Sequence, residues 1–411
     1  MRIWIIKGGE TIPFKDSSQR LMRAGLLAKM LMESGHEVIW WTSSVDHFSK
    51  TIYPQASDGE CILPGGIRLI FLKSILYKKN ISFRRLINHF GTARHFKKLA
   101  QVTYPPDIVF CSFPTVELSY TVVNFCRKKG IPILIDIRDL YPDVYINLFP
   151  AALRSLAKVL FYPMQWMTQK VMQRATGIIG ISNTYLNWGL NYAQRSRTKY
   201  DGLFPMAYPR SKESSLPAPE FISNFKKIED KKIIFYVGSF VSSIDLETVI
   251  SAARILKERK NEDFHFVLAG DGGYKERWEN MAANLDNVTF TGWIDSPTIN
   301  WLAHNAWVGL GAYKKGALMS LPNKILEYMN FGLPILSSLT GETRQFIEEN
   351  NCGLYYEAGS PESLIACLDQ LVKIPKKREE MVTSSKKNYT EKYTPARVYG
   401  DLIHHIEKIC K

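Results

Sequence analysis

Hydrophobic positions along the chain alternate between short, continuous apolar runs and longer stretches with helical spacing. Short apolar runs are typical of strands in a parallel sheet that helices cover on both faces. Helical spacing follows several of these runs, and the first predicted helix is capped near Ser17 or Ser18. The clearest predicted strands are residues 2–7, 38–41, 107–111, 131–135, 177–181, 233–237 and 265–269.

A segment rich in proline and charge interrupts this alternation at residues 209–232. Such a composition predicts a linker. Because strands alternate with helices on both sides of it, the pattern predicts an α/β chain with two doubly wound, Rossmann-like domains. The first domain is assigned to residues 1–208, and the linker with the second domain to residues 209–393.

All of the excess positive charge lies in the first half. Residues 1–200 contain 27 Lys and Arg against 12 Asp and Glu, whereas the remaining residues contain 26 and 27. Basic residues mixed with bulky apolar ones at 76–87 and 153–167 are typical of segments that lie on an anionic membrane surface. A solvated basic face beside a core helix has the same composition. No nucleic-acid-binding motif accompanies the charge, so we expect no nucleic-acid partner.

The lengths of the apolar runs and the spacing of the cysteines indicate the cellular compartment of the protein. No run of 18 apolar residues is present, so no transmembrane helix is expected. The six cysteines show neither disulfide nor metal-ligand spacing, which is typical of free thiols in a reducing cytoplasm. We therefore expect no metal and no cofactor, and a protein that is peripheral on the cytoplasmic face of the plasma membrane.

Residues directly after strands are the main candidates for chemistry in the first half, because ligands bind at the carboxyl ends of parallel strands. Gly8 and Gly9 form either a tight turn or a ligand-binding loop. Asp136, Arg138 and Asp139 follow a buried strand, where charged groups are costly unless they are paired or functional. They form either a structural network around Arg138 or part of an active site.

The second half offers a predicted phosphate site. Gly238 and Ser239 precede a helix and form either a plain turn or a phosphate site made of backbone N–H groups and the helix dipole. Gly270 follows the next strand and is a further donor-binding candidate. Another helix begins near residues 321–323, and Lys324 and Glu327 share one of its faces. An exposed ion pair on a helix surface is the alternative. Trp293 is placed either beside a nucleotide base or in the core.

These motifs resemble the family-4 glycosyltransferases, which have the two-domain GT-B fold with the domains facing each other across a cleft. The similarity runs in order through residues 235–239, 268–272, 287–292, 322–329, 332–335 and 353–355. In the first half, residues 138–142 are similar to a subgroup that builds bacterial surface polysaccharides, including N-acetylfucosamine transferases.

The resemblance implies a role for each candidate. Glu327 would hold the donor ribose, Gly8 and Gly9 would lie near the donor phosphates, and the amides of Leu321, Pro322 and Asn323 would surround the diphosphate. The last helix, residues 394–411, would pack back on the first domain. Two departures stand out: Met319 occupies the position of the first Glu of the family's Glu-x7-Glu motif, and Ser239 with Ser242 and Ser243 replaces an Arg and Lys pair.

The resemblance implies a glycosyltransferase whose donor is a nucleotide sugar, and the similarity to the subgroup implies UDP as the nucleotide. Lys324 would balance the diphosphate charge, Asp139 would orient the acceptor hydroxyl with Asp136 as second choice, and Arg138 would hold the sugar or the phosphates. The expected acceptor is a lipid-diphosphate-linked saccharide of O-antigen or capsule synthesis, docked by Lys78, Lys79, Arg84 and Arg85. By analogy the reaction retains configuration without a metal. A nucleotide-sugar 2-epimerase and a non-catalytic nucleotide-binding protein are the alternatives.

Overall fold

The computed structural model describes residues 1–14, 21–79, 82–209 and 216–411. The chain divides into two compact units, of which unit 1 comprises residues 1–206 and 395–411 and unit 2 comprises residues 207–394. No helix among these described residues is long and apolar enough to cross a membrane.

Strands and helices alternate through both units. Unit 1 contains β1 (Arg2–Ile6), α1 (Arg23–Glu33), β2 (Glu37–Ser43), β3 (Glu60–Ile62), β4 (Arg68–Leu72), α2 (Phe83–Leu99), β5 (Ile108–Phe113), α3 (Val116–Lys129), β6 (Ile133–Ile137), α4 (Asp143–Asn147), α5 (Arg154–Leu160), α6 (Tyr162–Arg174), β7 (Gly177–Gly180), α7 (Asn183–Ala193) and β8 (Gly202–Leu203). Short 3-10 helices lie at Pro54–Ser57 and Ala151–Leu153.

Unit 2 continues with α8 (Pro219–Phe225), a 3-10 turn (Lys226–Ile228), β9 (Lys232–Val237), α9 (Leu246–Glu258), β10 (Phe264–Ala269), α10 (Lys275–Met281), β11 (Val288–Gly292), α11 (Ser296–Asn305), β12 (Val308–Gly311), α12 (Asn323–Phe331), β13 (Ile335–Ser337), α13 (Glu342–Glu349), β14 (Gly353–Tyr355), α14 (Pro361–Lys373), α15 (Pro375–Asn388) and a π-helical turn (Tyr389–Tyr393). The last helix, α16 (Pro395–Cys410), belongs to unit 1.

Each unit is built on one sheet. The sheet of unit 1 has the order β3-β4-β2-β1-β5-β6-β7-β8 and is parallel except for β3, which runs antiparallel to β4. The sheet of unit 2 has the order β11-β10-β9-β12-β13-β14 and is parallel throughout. In both sheets the chain order reverses beside the first strand of the unit, which is where doubly wound folds bind ligands. The predicted α/β class is confirmed.

Large aromatic side chains fix the first strands of unit 1 against its helices. The rings of Trp4 in β1 and Trp41 in β2 lie 4.7 Å apart between centroids. Trp4 stacks on Phe125 of α3 at 5.7 Å, and Trp41 meets Phe96 of α2 edge-on at 5.2 Å. Aromatic side chains bury large apolar areas, and these four join two strands to two helices. The loops after β1 and β2 therefore start from rigid positions.

Two boundaries differ from the sequence prediction, and a third predicted boundary lies outside the described residues. The predicted cap at Ser17 or Ser18 lies outside the described residues, and α1 begins at Arg23. The segment 209–232 was predicted as a linker, yet it contains α8, because Phe225 is buried and meets Trp301 of α11 edge-on with ring centroids 5.4 Å apart. Asp136 was placed after a strand, but β6 extends through Ile137 and includes it.

Candidate functional site

The first candidate site lies at the carboxyl edge of the sheet in unit 1. β1 is followed by Lys7, Gly8 and Gly9, and β6 is followed by Arg138 and Asp139. Only β5 separates β1 from β6, so both loops emerge at neighbouring positions of one edge. The structure thus brings together the two groups of residues that the sequence singled out in the first half.

Asp136 is part of a completely buried ion pair. The Arg23 side chain donates from Nε to Asp136 Oδ2 at 3.1 Å and from Nη2 to Oδ1 at 2.9 Å. Ser112 Oγ adds a hydrogen bond to Oδ2 at 3.2 Å, and neither charged side chain has exposed surface. Since both carboxylate oxygens are engaged away from solvent, the position suits a structural anchor and not a group that handles substrate protons.

Arg138 is oriented by a second buried carboxylate, that of Glu10. Arg138 Nη1 donates to Glu10 Oε1, and Glu10 Oε2 accepts the backbone N–H of Ala24 at 2.9 Å. The Glu10 side chain is buried, while that of Arg138 is 12% exposed. The guanidinium therefore has a fixed direction with one side left at the surface, as a group that holds a sugar or a phosphate requires.

Asp139 lies in an environment that favours its protonated form. Burial raises the pKa of its carboxyl group, although the Leu140 N–H, which donates to Oδ1 at 2.9 Å, and the charges of Lys7 and Arg85 oppose this. Burial together with Arg138 lowers the pKa of Lys7 to about 8. Shifted pKa values in groups of opposite sign at a sheet edge are typical of functional sites.

The glycines after β1 allow this loop to turn tightly. Gly9 has φ +74°, in the left-handed region, and a Cβ atom there would lie 3.5 Å from the Cβ of His47. The His47 ring forms a hydrogen bond of 2.9 Å through Nδ1 with the Tyr77 hydroxyl. The loop after β1 thus lies against the loop after β2, as a ligand-facing edge of the sheet requires.

The predicted docking cluster separates into two parts. Lys78, Lys79 and Arg84 are exposed. Arg85 is half-buried, and its guanidinium carbon lies 5.9 Å from the ring centroid of the buried Tyr77. The docking role of the four residues stays a prediction; Arg84 is exposed, whereas Arg85 in the same first turn of α2 lies partly inside.

The second candidate site lies at the carboxyl edge of the sheet in unit 2. Gly238 follows β9 with φ +154°, and Gly270 follows β10 with φ +152°. A Cβ atom on Gly270 would lie 1.9 Å from the carbonyl oxygen of Gly238, so the two loops touch through their backbones. Ser239 is exposed beside them. The glycines therefore leave backbone open to a ligand where side chains would otherwise fill the space.

Gly238 and Gly270 together are called the glycine edge. Lys324 on α12 extends its side chain to this edge. Its Nζ atom lies 4.0 Å from the ring centroid of Tyr236 and 5.6 Å from that of Tyr313, and a Cβ atom on Gly238 would lie 2.7 Å from Nζ. Burial lowers the pKa of Lys324 to about 7, against the negative charge of Glu327, which raises it. An ammonium group held beside exposed backbone at a helix N-terminus is a suitable site for an anion.

The loop before α12 is held in place from α13. Ser320 Oγ donates to the carboxylate of Glu342, and the Thr343 hydroxyl donates to the carbonyl oxygen of Ser320. Leu321 is buried and Pro322 is the N-cap of α12, so Asn323 begins the helix at a fixed point. Glu342 thus positions the loop that carries the N-terminus of α12.

The remaining candidates take distinct positions. Glu327 lies one turn after Lys324 and is half-buried. Trp293 follows β11 at the same sheet edge and is 78% exposed, which excludes the core alternative. Met319 packs against the hydrophobic core of unit 2, so its position contributes an apolar side chain instead of a carboxylate. Among residues 1–14, 21–79, 82–209 and 216–411, no group of three or more His, Cys, Asp or Glu side chains could hold a metal.

Sequence reasoning missed several residues on which these sites depend. Arg23 has a signal, since it precedes Leu27 and Leu31 at spacings of four and is therefore a charge on the buried face of α1. Glu10 and Lys7 lie next to the glycine loop but have no periodicity that marks them as buried. Tyr236 and Tyr313 surround Lys324 from β9 and from the segment after β12, and no local pattern connects them to it.

Comparison with known proteins identifies the second half of the chain. Residues 218–388 match the family model described as glycosyl transferases group 1. This segment is a glycosyltransferase domain. It contains the glycine edge, Lys324 and the whole of α12, so the second candidate site belongs to it.

Relatives in sequence are also glycosyltransferases. The chain is 26% identical over 171 residues to an uncharacterized glycosyltransferase of Methanocaldococcus jannaschii, a match that covers 40% of this chain and 42% of that one. It is 23% identical to the alpha-D-kanosaminyltransferase of Streptomyces kanamyceticus, covering 65% and 68%. It is 24% identical to the putative colanic acid biosynthesis glycosyl transferase WcaI of Escherichia coli, covering 73% and 75%.

Solved structures show the same fold over the whole glycosyltransferase chain. Anabaena HepE in complex with UDP aligns with a TM-score of 0.68 at 11% identity, covering 99% of this chain and 100% of that one. WaaG, a glycosyltransferase involved in lipopolysaccharide biosynthesis, aligns with a TM-score of 0.65 at 17% identity, covering 98% of both chains. The two α/β units, each built on a largely parallel sheet, have the GT-B fold of these neighbours.

The buried ion pair of unit 1 predicts a large effect on stability. Arg23→Met leaves the Asp136 carboxylate buried without its partner and is expected to lower the free energy of unfolding by about 3–5 kcal/mol. Calorimetry should show this as a lower melting temperature. The double variant Arg23→Met/Asp136→Leu removes both charges and should recover most of the loss.

Arg2→Met is a matched control for that experiment. Arg2 pairs with Glu37 at 2.7 Å on the surface, where solvent screening leaves an ion pair little effect on stability. If Arg23→Met melts at the temperature of the parent or of Arg2→Met, the pair does not anchor unit 1.

Proposed function

We propose that the chain transfers a sugar from a uridine nucleotide donor to a hydroxyl group of a lipid-diphosphate-linked saccharide. The observation that carries this proposal is the position of Lys324 beside Gly238 at the start of α12, within the glycosyltransferase domain. Neighbours of the same fold solved with UDP support the choice of nucleotide.

The donor diphosphate is the group that the site in unit 2 suits best. As the sugar leaves, negative charge develops on the phosphate oxygens, and preorganised positive groups there lower the barrier. Lys324 and the N–H groups of the first turn of α12 supply this charge in our proposal, in place of the missing Arg and Lys pair and without a metal. Glu327 accepts hydrogen bonds from the ribose hydroxyls, and Trp293 stacks on the base.

The acceptor hydroxyl needs a fixed position and a group that receives its proton. We assign both tasks to Asp139, whose burial already favours the protonated carboxyl group. Arg138, oriented by Glu10, holds the sugar or a phosphate. Asp136 is no longer proposed for this step, since Arg23 occupies both of its oxygens. Retention of configuration is proposed by analogy with the family that the sequence resembles.

The names of two relatives support a place in surface-polysaccharide synthesis. WcaI is named for colanic acid biosynthesis and WaaG for lipopolysaccharide biosynthesis. We propose a UDP-linked N-acetyl-deoxyhexosamine as the donor, an O-antigen or capsule precursor as the acceptor, and a peripheral location on the cytoplasmic face of the plasma membrane. The excess positive charge of residues 1–200 supports the membrane location.

Binding and turnover of nucleotide sugars test the proposal directly. The purified protein should bind one class of nucleotide diphosphate and release its sugar slowly into water. Glu327→Ala should weaken nucleotide binding by roughly 10–100-fold, because a charge-assisted hydrogen bond to the ribose is lost. Asp139→Asn should bind the nucleotide normally and lose transfer. Isothermal titration calorimetry and sugar-release assays measure these effects.

Glu348→Ala is the matched control, since Glu348 lies on α13 in an exposed pair with Arg344 at 2.8 Å and should leave binding unchanged. Absence of binding to every nucleotide would reject the donor site. Conversion of the donor to its 2-epimer, without any acceptor, would favour the epimerase alternative.

Lys324 should make donor binding depend on pH. With a pKa of about 7 in the free protein, Lys324 is increasingly neutral above that value, so binding of an anionic donor must then include uptake of a proton. Affinity for the nucleotide sugar should fall by up to about tenfold per pH unit between about pH 7 and pH 9.

Calorimetry in buffers of different ionisation enthalpy should detect this proton. Lys324→Arg remains charged and should remove the pH dependence, while Lys324→Met should bind weakly at every pH. An affinity of the parent that is constant between about pH 7 and pH 9 would contradict the assignment.

The exposed part of the predicted docking cluster should attract anionic membranes. Replacing Lys78, Lys79 and Arg84 by Glu reverses the local charge and should strongly reduce binding to phosphatidylglycerol-containing vesicles, at roughly 1 kcal/mol per residue. Nucleotide affinity should stay unchanged. Lys226→Glu/Lys227→Glu in unit 2 is the control. If the variant with Lys78, Lys79 and Arg84 replaced by Glu binds vesicles as strongly as the parent, these residues do not dock the membrane.

A further inference from the structure

Helix α5 of unit 1 exposes a stripe of apolar side chains along one side, with Arg154 and Lys158 on the other side. Only Ala157 of its seven residues is buried. Leu156, Val159 and Leu160 are 67%, 72% and 67% exposed. Exposed apolar residues continue on both sides of the helix, at Leu148, Leu153 and Tyr162. A contiguous apolar surface of this kind marks a site of interaction, whereas single exposed apolar residues do not.

The fold holds α5 firmly at this exposed position. Phe161, directly after the helix, stacks on Tyr145 of α4 with ring centroids 5.6 Å apart and lies 6.4 Å from Phe149. Phe161 and the buried Ala157 thus pack inward, against the rest of unit 1. The leucine and valine side chains are therefore presented outward by a fixed helix.

Charge around α5 indicates what covers it. Residues 144–200 contain seven Lys and Arg and no Asp or Glu. Arg154 and Lys158 lie on α5 itself and are exposed. The nearest preceding acid, Asp143, accepts hydrogen bonds from Trp188 at 2.7 Å and from Tyr192 at 2.8 Å, so its carboxylate is already engaged. Within this segment the apolar surface is therefore accompanied by basic residues and by no acidic one.

We infer that α5 inserts into the interface of an anionic lipid bilayer. Leucine and valine enter the boundary between headgroups and acyl chains, while long basic side chains remain at the lipid phosphates. A helix of seven residues is about 10 Å long, which suits shallow insertion. A second copy of this chain fits less well, because this segment carries basic residues and no acidic ones, so two copies would meet with charges of the same sign.

The position of α5 adds a consequence for the acceptor. The helix follows β6 by way of α4, and Arg138 and Asp139 come directly after β6. Insertion of α5 would bring this edge of unit 1 to the membrane surface, where the diphosphate of a lipid-linked saccharide lies. The insertion specifies how the proposed peripheral location is reached, and its consequence for the acceptor rests on the proposed function.

Vesicle binding tests the inference. Leu156→Asn/Val159→Asn should lower partitioning onto vesicles of phosphatidylcholine and phosphatidylglycerol by at least about tenfold, since it removes two apolar side chains from the interface. Arg154→Gln/Lys158→Gln should weaken binding to these vesicles and leave the weak binding to pure phosphatidylcholine unchanged. Val102→Asn is the control, because Val102 is 82% exposed in unit 1 and far from this segment in sequence.

Two further measurements separate the possible outcomes. Hydrogen exchange at residues 153–160 should slow when anionic vesicles are added. Nucleotide binding without lipid should be equal in all variants, so a failure of the donor site would be seen separately. Equal partitioning of the Leu156/Val159 variant and the parent would overturn the inference. An equal loss of vesicle binding in Val102→Asn would also overturn it. The same holds if the parent self-associates in solution and Leu156→Asn/Val159→Asn abolishes that self-association.

Discussion

The guanidinium of Arg23 and the carboxylate of Asp136 form the contact on which unit 1 depends. The pair joins α1 to β6 in the interior, and the third Arg23 nitrogen donates to the carbonyl oxygen of Pro205 at 2.8 Å. Removing two charges from water is costly, and only this nearly complete set of hydrogen bonds offsets the cost. The end of β6 is thereby fixed relative to α1. Arg138 and Asp139, which follow β6 directly, are therefore also fixed in position. The hydrogen bond from the Ala24 N–H to Glu10 fixes the loop after β1 relative to α1 in the same way.

Unit 2 uses a different device to prepare for a negative ligand. Two strand-end glycines with positive φ let neighbouring loops touch, and this contact opens the backbone beside the Lys324 ammonium group. Tyrosine rings surround that ammonium group and stabilise it less well than water does, so its pKa falls to about 7. In the proposed function the donor diphosphate supplies the negative charge that this ammonium group lacks. Binding strength and the protonation of Lys324 are therefore coupled, which is a natural property of a site built from a lysine instead of an arginine.

The proposed membrane partner would account for both the excess positive charge and the exposed apolar surface of unit 1. The basic excess of residues 1–200 is visible from composition, but composition alone does not say which side chains reach solvent. In the structure Arg85 turns inward to Tyr77, while α5 turns its leucine and valine side chains outward. An amphipathic helix in an ordinary soluble domain would have the opposite arrangement, with these residues in the core.

The sequence by itself determined the two βα series, the glycines after the first strands and the helix that carries Lys324 and Glu327, because these depend on local periodicity and on turn chemistry. It also carried the motifs by which the second half resembles glycosyltransferases. Only the tertiary structure decided that Asp136 forms an ion pair with Arg23 and that Glu10 orients Arg138. It also decided that the rings of Tyr236 and Tyr313 surround Lys324. Each of these contacts joins residues far apart in the chain, and their pairing follows from strand order and from the burial of charge, neither of which leaves a periodic signal in the sequence.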